Sequence, residues 1–228
     1  MIVIFNGPPA SGKDEAASLY KEQFGFGNLS FKYQLFKETI AHFGVDKEWF
    51  MEGYNDREIK ERKEFALGDR SRREAMIHVS EDIIKPRNGK SFFGWKVSQE
   101  IEEGIHYAVA DGGFVEELVP LIEKVGEENI IVVQITREGH DFSTDSRRYF
   151  NGNLIKEYTI NYPTEIDSAF VLEQKLPNIN TYRIHNNGSV RNFRSTLTDI
   201  YNELKEDYNL DSTNGQITET TDTEHNQS

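Results

Sequence analysis

A glycine-containing segment near the N-terminus, MIVIFNGPPASGKD, constrains the fold of this chain more than any other feature. Residues Ile2 to Phe5 form an apolar run with the length of a strand that is buried on both faces. The next residues, Gly7–Lys13, fit the pattern G-x-x-x-x-G-K, and Asp14–Tyr20 has a helical composition. A strand, such a loop and a helix in this order are typical of a phosphate-binding loop. The segment therefore predicts a nucleotide-binding site.

The chemistry of the loop also suits a polyphosphate. Successive backbone N–H groups can surround an anion, and the N-terminus of the following helix adds partial positive charge. Lys13 would reach the β- and γ-phosphates as a point charge. At the eighth position the chain has Asp14 instead of Ser or Thr, whose hydroxyl normally binds Mg²⁺. A carboxylate can also hold Mg²⁺, directly or through water; the alternative is a favourable interaction with the helix dipole alone. The candidate nucleotide contacts in the loop are Gly7, Ala10, Ser11, Gly12, Lys13 and Asp14.

Composition and charge exclude several classes of protein. The chain has 228 residues, which makes one domain the default, and its formal net charge is −13. Such an acidic chain is a poor general binder of polymeric nucleic acid, because that affinity comes from neutralising phosphates. It has no cysteine, which is compatible with a reducing cytoplasm, and it has neither a signal-peptide pattern nor the ~20 apolar residues of a membrane span. We expect a soluble, cytoplasmic protein with small-molecule partners and no membrane partner.

Apolar runs alternate with helical patterns along the rest of the chain. The strand-like runs are Leu29–Phe31, Ile105–Asp111, Ile130–Ile135, Ala169–Leu172 and Thr181–His185. The helical patterns are Lys32–Phe43, Phe92–Ile101, Phe114–Val125 and Val190–Tyr208. This alternation predicts an α/β fold, a three-layer α/β/α sandwich around a mainly parallel sheet.

The predicted domain covers residues 1–210 and carries two lobes over the carboxyl edge of its sheet. The first lobe comprises about residues 32–90. The second, a lid of about residues 138–165, includes the long polar loop Glu138–Pro163, and loops of this length are usually functional or mobile. Residues 211–228 form a Ser/Thr/Asn-rich acidic tail that is expected to be disordered. Two lobes that close over one phosphate loop are the layout of a small-molecule phosphotransferase.

The absence of two sequence motifs argues against two classes of nucleotide-binding protein. The chain has no Asn-Lys pair, so it lacks the guanine-reading motif of a switch GTPase. Its candidate strand ends Ala110-Asp111-Gly112 and not in the Asp-Glu pair usual in motor ATPases. A kinase whose acceptor is already a phosphate needs no general base, because that oxygen is ionised at pH 7. Such a kinase needs positive charge to bring two polyanions together, and the scattered arginines favour this class.

Two further features have both a functional and a structural interpretation. Asp111 ends a predicted strand at the edge where α/β folds bind ligands; alternatively it caps the helix that begins near Phe114. The stretch Asn55–Arg73 is rich in Arg and Lys, and the alternative there is a solvated helix face. Arg72 and Arg73 fit that alternative less well, because they open a helix.

A series of short motifs extends over about residues 1–205. In order they are Gly7–Asp14, Leu35-x-Lys37, Arg57-Glu58-x-Lys60, Ser71-Arg72, Asp111-x-x-Phe114-x-x-Glu117, Arg137 after an apolar strand, and Asn186-x-Gly188-Ser189. With these motifs in this order and spacing, the chain resembles the deoxynucleoside monophosphate kinases of tailed bacteriophages, within the P-loop nucleoside monophosphate kinase superfamily. The resemblance implies transfer of the ATP γ-phosphoryl group to a deoxynucleoside monophosphate, with Mg²⁺, in the cytoplasm of a host cell.

This resemblance and the residue types together give each candidate a role. ATP would contact the phosphate loop together with Asn186 and Gly188. The candidate acceptor contacts are Lys37, Arg57, Lys60, Arg72, Arg73, Trp95 and Asp111, and for Trp95 the alternative is a place in the core. The candidate catalytic residues are Lys13, Asp14, Arg137, Arg147 and Arg148, and Mg²⁺ would depend on Asp14 and Asp111. Where the family has Arg two residues after the strand-end Asp, this chain has Gly113, which removes one expected anion contact.

Two alternatives to this function stay open. One is a P-loop kinase of another phosphorylated small metabolite. The other is a nucleotide-binding regulatory protein without turnover, which Gly113 and the replacement of Ser or Thr by Asp14 favour. The sequence does not fix the oligomeric state, and a homodimer is compatible with it.

Overall fold

The computed structural model describes residues 1–143, 145–160 and 174–210. Its strands are β1 (Ile2–Asn6), β2 (Gly27–Asn28), β3 (Tyr107–Val109), β4 (Ile130–Thr136), β5 (Phe150–Ile160) and β6 (Gln174–Asn186). Its α-helices are α1 (Lys13–Phe24), α2 (Phe31–Phe43), α3 (Lys47–Asn55), α4 (Arg57–Lys60), α5 (Arg72–Ile77), α6 (Lys85–Asn88), α7 (Phe92–Ser98), α8 (Val115–Val125) and α9 (Val190–Tyr208). Short 3₁₀ turns occupy Phe65–Leu67 and Glu127–Asn129, and a π-helix, His78–Ile84, joins α5 to α6.

Within these ranges the strands form one sheet in the order β2-β3-β1-β4-β6-β5, and every pair of neighbours is parallel. The register places Ile4 of β1 beside Val109 of β3 and Val132 of β4. β1, β3 and nearly all of β4 are buried, which explains why their sequences are predominantly apolar and do not alternate between apolar and polar residues. The predicted α/β fold with a mainly parallel sheet is confirmed.

Helices cover both faces of this sheet. Because alternate side chains of a strand point to opposite faces, β1 contributes to two separate cores. Val3 and Phe5 pack in a core with α1 and α9. Ile2 and Ile4 pack in a second core with α7 and α8. The result is the three-layer arrangement that the alternating sequence pattern predicted.

The region from α2 to α5 has a small apolar core of its own. Phe36, Phe50, Leu67 and Met76 are buried together, and they come from α2, α3, the first 3₁₀ turn and α5. In the described structure this region, predicted as the first lobe, therefore packs around an apolar centre that is distinct from the two faces of the sheet.

The largest difference from expectation lies in the segment predicted as a lid, residues 138–165. Phe150–Ile160 is not loop, because it forms strand β5 and pairs with β6 at the end of the sheet. Most of its side chains are exposed, as expected for a strand at the edge of a sheet. The strand is therefore largely polar, and its sequence could not be distinguished from that of a loop. The described chain outside the sheet between β4 and β5 is therefore limited to residues 137–143 and 145–149.

A smaller difference concerns Leu29–Phe31, predicted as a strand. The residues that pair with β3 are Gly27–Asn28. Ser30 instead caps α2, since its side chain accepts a hydrogen bond from Tyr33 N. The strand expected at Ala169–Leu172 lies outside the described residues.

The acidic tail, residues 211–228, also lies outside the described residues. Within the ranges that are described, no helix combines the length and apolar character needed to cross a membrane.

Candidate functional site

The segment Gly7–Lys13 connects β1 to α1 as a tight loop at the carboxyl edge of the sheet. Gly7 lies against the end of β4, where a Cβ would overlap the carbonyl oxygen of Ile135. Gly12 has a φ of 115°, a conformation that other residues rarely adopt, and it directly precedes α1. Both glycines of the motif are thus required by geometry, the first by close packing and the second by its backbone angle.

Asn186, at the end of β6, supports this loop. Its Nδ2 donates a hydrogen bond to the carbonyl oxygen of Ser11 at 2.9 Å, and the residue is buried. A Cβ at Gly12 would lie 2.9 Å from the same nitrogen. Asn186, a candidate ATP contact, therefore fixes the loop backbone in this structure. Gly188 lies in the following turn, next to Ser189, which caps α9.

Lys13 is buried within the loop, and its Nζ donates to the carbonyl oxygen of Pro8 at 2.6 Å. Burial and, as a smaller effect, the positive charge of Arg147 together lower the pKa of Lys13 to about 8. Carboxylates that act on it in the opposite direction are those of Asp14, Asp145 and Asp111. Because two neighbouring cations repel each other, an anion between Lys13 and Arg147 would be stabilised by both.

Arg137 follows β4 directly and lies beside the phosphate loop. Its NH1 group donates to the carbonyl oxygen of Ala10 at 3.2 Å. Ala10 is exposed, whereas the next residue, Ser11, is fully buried, and its Oγ has no hydrogen-bond partner among the described residues. Arg137 thus places a guanidinium on the exposed side of the loop.

Arg147 and Arg148 lie between β4 and β5, and their guanidinium groups make different contacts. Arg147 donates to both carboxylate oxygens of Asp145, through Nε at 2.9 and 3.0 Å and through NH2. Burial acts to raise the pKa of Asp145, but the hydrogen bonds from Arg147 hold it below its ordinary value. NH1 of Arg148 donates to the carbonyl oxygens of Asp145 and Arg147, at 3.0 and 2.7 Å. The structure therefore brings Arg147 toward Lys13, whereas these bonds of Arg148 stay within its own loop.

Asn6, which the sequence analysis missed, holds this loop against the sheet. It is fully buried at the end of β1. Its Nδ2 donates to the carbonyl oxygens of Arg148 at 3.0 Å and Gly112 at 3.4 Å, and its Oδ1 accepts from Phe150 N at 2.7 Å. Asn6 thereby joins the carboxyl ends of β1 and β3 to the start of β5. The available signal was a single amide between an apolar run and Gly7.

Asp111 caps a helix, although not the one that the sequence suggested. Its Oδ2 accepts hydrogen bonds from Ser30 Oγ and Lys32 N, each at 2.7 Å, and its Oδ1 accepts from Phe31 N at 3.3 Å. These donors lie at the N-terminus of α2. The interpretation of Asp111 as the cap of the helix near Phe114 was wrong, since α8 begins with no side-chain cap.

The acids around the loop do not form an all-protein metal site. Among the residues that the structure describes, no group of three or more His, Cys, Asp or Glu could hold a metal ion. Mg²⁺ commonly binds one or two carboxylates, several waters and the phosphate oxygens of a nucleotide. Asp14, exposed in the first turn of α1, fits that arrangement. Asp111 already accepts three hydrogen bonds from the start of α2, so its contribution would come through water.

Arg72, a candidate acceptor contact, lies inside the small core of the α2–α5 region and is only 1% exposed. Nε donates to Phe50 O at 3.2 Å and NH2 to Trp49 O at 3.3 Å, and the guanidinium lies 4.2 Å from the centre of the Trp49 ring. A Cβ at Gly53 would overlap the guanidinium. NH1 faces the Glu64 carboxylate at 3.7 Å. In this structure Arg72 links α5 to α3 through these hydrogen bonds, and its guanidinium is not exposed for contact with a ligand.

Two lysines share the ring of Tyr54. Lys60 Nζ lies 4.0 Å from the ring centre, and Lys32 Nζ lies 5.2 Å from it. The backbone N of Lys32 also donates to Asp111, so the cluster of Tyr54, Lys60 and Lys32 lies beside the end of β3. Lys60 was a predicted acceptor contact, whereas Lys32 was not, because nothing but its charge distinguishes it in the sequence. For Arg57, another candidate, the structure gives the backbone, at the start of α4.

The other acceptor candidates are not gathered at the loop by any described contact. Lys37 pairs with Glu100 at 3.0 Å. Trp95 is 51% exposed on α7, and Arg73 is exposed on α5. The alternative of a core position for the aromatic residues of this helix therefore holds for Phe93 but not for Trp95.

Glu117, on α8, is a buried acid within electrostatic range of the site. Burial raises the pKa of its carboxyl to about 8, while the charge of Lys85 acts to lower it and that of Asp111 to raise it. The charge of Arg147 also reaches this carboxyl. Glu117 is therefore predominantly protonated at neutral pH.

This protonation makes stability depend on pH. Because the pKa of Glu117 is about 8 in the folded protein against 4.5 ordinarily, the folded state binds the proton more tightly, and stability should fall as pH rises through that window. The effect is on the order of several kcal/mol. We expect Glu117→Gln to flatten the pH dependence of the free energy of unfolding, measured by urea denaturation at pH 5.5 and 7.5. Glu116→Gln should keep the wild-type slope, and an unchanged slope in Glu117→Gln would contradict the assignment.

Comparison with known proteins identifies no family for this chain. No protein-family model matches the chain, and no curated protein matches it. Fold and site together define a three-layer α/β protein with a Gly-Lys loop at the carboxyl edge of a parallel sheet.

Proposed function

We propose that the protein is an ATP-dependent deoxynucleoside monophosphate kinase, which transfers the γ-phosphoryl group of ATP to a deoxynucleoside monophosphate. The observation that carries this proposal is the convergence of cationic side chains on one loop. Lys13 lies within the loop, Arg137 binds its exposed side and Arg147 acts on Lys13. Phosphoryl transfer depends mainly on positioning and on neutralising charge, which such an arrangement supplies. In a chain with a net charge of −13, the placement of these three cations at one loop supports a dedicated polyphosphate site, with the acids Asp14, Asp111 and Asp145 also within electrostatic range of Lys13.

The acceptor would bind on the side of α2, α3 and α4. Lys32 and Lys60, which lie over the ring of Tyr54, supply positive charge there for the monophosphate. The group lies beside Asp111 at the end of β3. A monophosphate acceptor is already ionised at pH 7, so direct in-line transfer requires no general base and no covalent enzyme intermediate.

Mg²⁺ would enter with ATP and depend on Asp14. We expect Asp14→Asn to lower turnover about 10–100-fold, with partial recovery at high Mg²⁺ and little change in melting temperature. Glu15→Gln, one position further along α1, is the control and should retain turnover, since Glu15 is paired with Arg194. Near-normal turnover of Asp14→Asn with a slightly lower melting temperature would leave Asp14 with only its interaction with the helix dipole.

The test of the function is a substrate panel. The protein is incubated with Mg-ATP and, in turn, each common deoxynucleoside or ribonucleoside monophosphate and a set of non-nucleotide phosphorylated metabolites, and ADP formation is followed. We expect turnover with at least one deoxynucleoside monophosphate. Turnover only with a non-nucleotide phosphorylated metabolite would instead identify another kind of kinase. Tight ATP binding by calorimetry without ADP formation from any acceptor would identify a nucleotide-binding regulatory protein.

A further inference from the structure

Gly113 lies two residues after Asp111, directly against the side chain of Arg147. A Cβ at Gly113 would lie 2.5 Å from both Cβ and Cγ of Arg147 and 2.6 Å from its Cδ. Gly113 does not have a positive φ, so its backbone angle does not itself require glycine. Its carbonyl oxygen also accepts a hydrogen bond from Arg148 N at 3.2 Å, which holds the two segments together. The missing side chain at position 113 therefore makes room for the aliphatic stem of Arg147.

Asp145 holds the other end of the same side chain. Its carboxylate accepts from Nε and NH2 of Arg147, and its Oδ1 also accepts from the backbone N of Arg147 at 3.0 Å. NH1 of Arg147 makes no hydrogen bond within the described ranges. A guanidinium can bind two anionic groups along separate edges. Because Asp145 binds the edge formed by Nε and NH2, NH1 of Arg147 can donate to a phosphate oxygen.

We propose that Gly113 and Asp145 are positioning residues for Arg147. Gly113 leaves space for the aliphatic stem of Arg147, and Asp145 orients its guanidinium. A residue from the chain between β4 and β5 thus places a positive charge beside the end of β3. Arg147 occupies the space that an arginine side chain at position 113 would have to enter. The inference rests on the proposed function in that the anion is taken to be the polyphosphate of ATP.

The test of Gly113 is a double-mutant cycle with Arg147. Gly113→Ala is made in the wild-type protein and in Arg147→Gly, because alanine at 147 would retain the Cβ that the new methyl overlaps. In the wild-type background we expect ATP affinity, measured by calorimetry, to fall about 10-fold and the melting temperature to fall by several degrees. In the Arg147→Gly background the same change should have less than about a twofold effect on affinity and leave the melting temperature unchanged. Equal losses in both backgrounds would overturn the role of Gly113.

Gly112→Ala is the matched control for this cycle. A Cβ there would meet side-chain atoms of Ile4, Phe150 and Phe31, the nearest at 2.9 Å, and no atom of Arg147. Its effect on the melting temperature should therefore be the same in both backgrounds. A cost of Gly112→Ala that also disappears in Arg147→Gly would show that the second background had simply loosened the region, and would overturn the specific pairing.

The test of Asp145 is Asp145→Asn, which keeps an acceptor for the backbone N of Arg147 but loses the charge. We expect ATP affinity to fall about 10-fold while the melting temperature changes little, and Asp145→Glu to recover part of the loss. Wild-type affinity in Asp145→Asn would overturn its role. These readouts do not require turnover. A protein that binds ATP but phosphorylates no deoxynucleoside monophosphate would refute the proposed function and still decide this inference, and the melting-temperature cycle decides the Gly113 part even without ATP binding.

Discussion

Replacing Lys13 with Met should lower kcat about 10²–10³-fold without lowering the melting temperature. Lys13 is buried, with its Nζ donating to Pro8 O, and burial together with the charge of Arg147 lowers its pKa to about 8. The burial of this charge has an energetic cost, which a bound phosphate would offset. Met has a similar stem and fills the same space, so its introduction removes the charge and leaves the packing. Steady-state kinetics and thermal denaturation of the same preparation measure the two effects.

Lys21→Met is the matched control for this prediction. Lys21 lies in the last turn of the same helix, α1, and is exposed. Its removal should leave both kcat and the melting temperature at wild-type values. A Lys13→Met protein with near-normal kcat would show that the loop does not place this ammonium on the transferred phosphate.

Arg72→Met should destabilise the protein by about 2–4 kcal/mol. The guanidinium is buried, donates to Phe50 O and Trp49 O, and packs on the Trp49 ring. Its loss leaves two buried carbonyl oxygens without these donors and the Glu64 carboxylate without a cation at 3.7 Å. Urea denaturation gives the free energy of unfolding directly. We expect the small core of the α2–α5 region to be the part most affected.

Arg73→Met separates this structural role from a substrate contact. Arg73 is the next residue on α5 and is exposed, so its replacement should change stability by no more than about 0.5 kcal/mol. If Arg72→Met instead kept wild-type stability and raised the KM for the acceptor, Arg72 would be a ligand contact after all.

Local patterns were sufficient for the centre of the fold. β1, β3 and β4 are mostly apolar because helices cover both faces of the sheet, so each could be located without knowing its neighbours. The phosphate loop was equally accessible, since its two glycines and Lys13 are fixed by spacing within one short segment. β5 was missed for the opposite reason, because an edge strand with exposed side chains carries no such apolar run.

Contacts between distant parts of the chain account for what the sequence could not show. Asn6 bonds to Phe150, 144 positions away, and Asp111 bonds to the start of α2, about 80 positions away. The hydrogen-bonding capacity of Asn6 and Asp111 was visible, but their partners were set by the order of strands in the sheet. The burial of Arg72 could not be predicted for a related reason. The local sequence around an arginine does not distinguish a buried guanidinium from one that is exposed to bind a phosphate.

Transfer of a phosphoryl group to a nucleoside monophosphate can be followed with ATP labelled in its γ-phosphate. Wild-type protein is incubated with labelled ATP, Mg²⁺ and the preferred deoxynucleoside monophosphate, and the products are separated. We expect the label to appear in the deoxynucleoside diphosphate, in amounts equal to the ADP formed, and Lys13→Met to slow its appearance about 10²–10³-fold. Label released only as inorganic phosphate, or no loss of label from ATP with any nucleoside monophosphate, would contradict it.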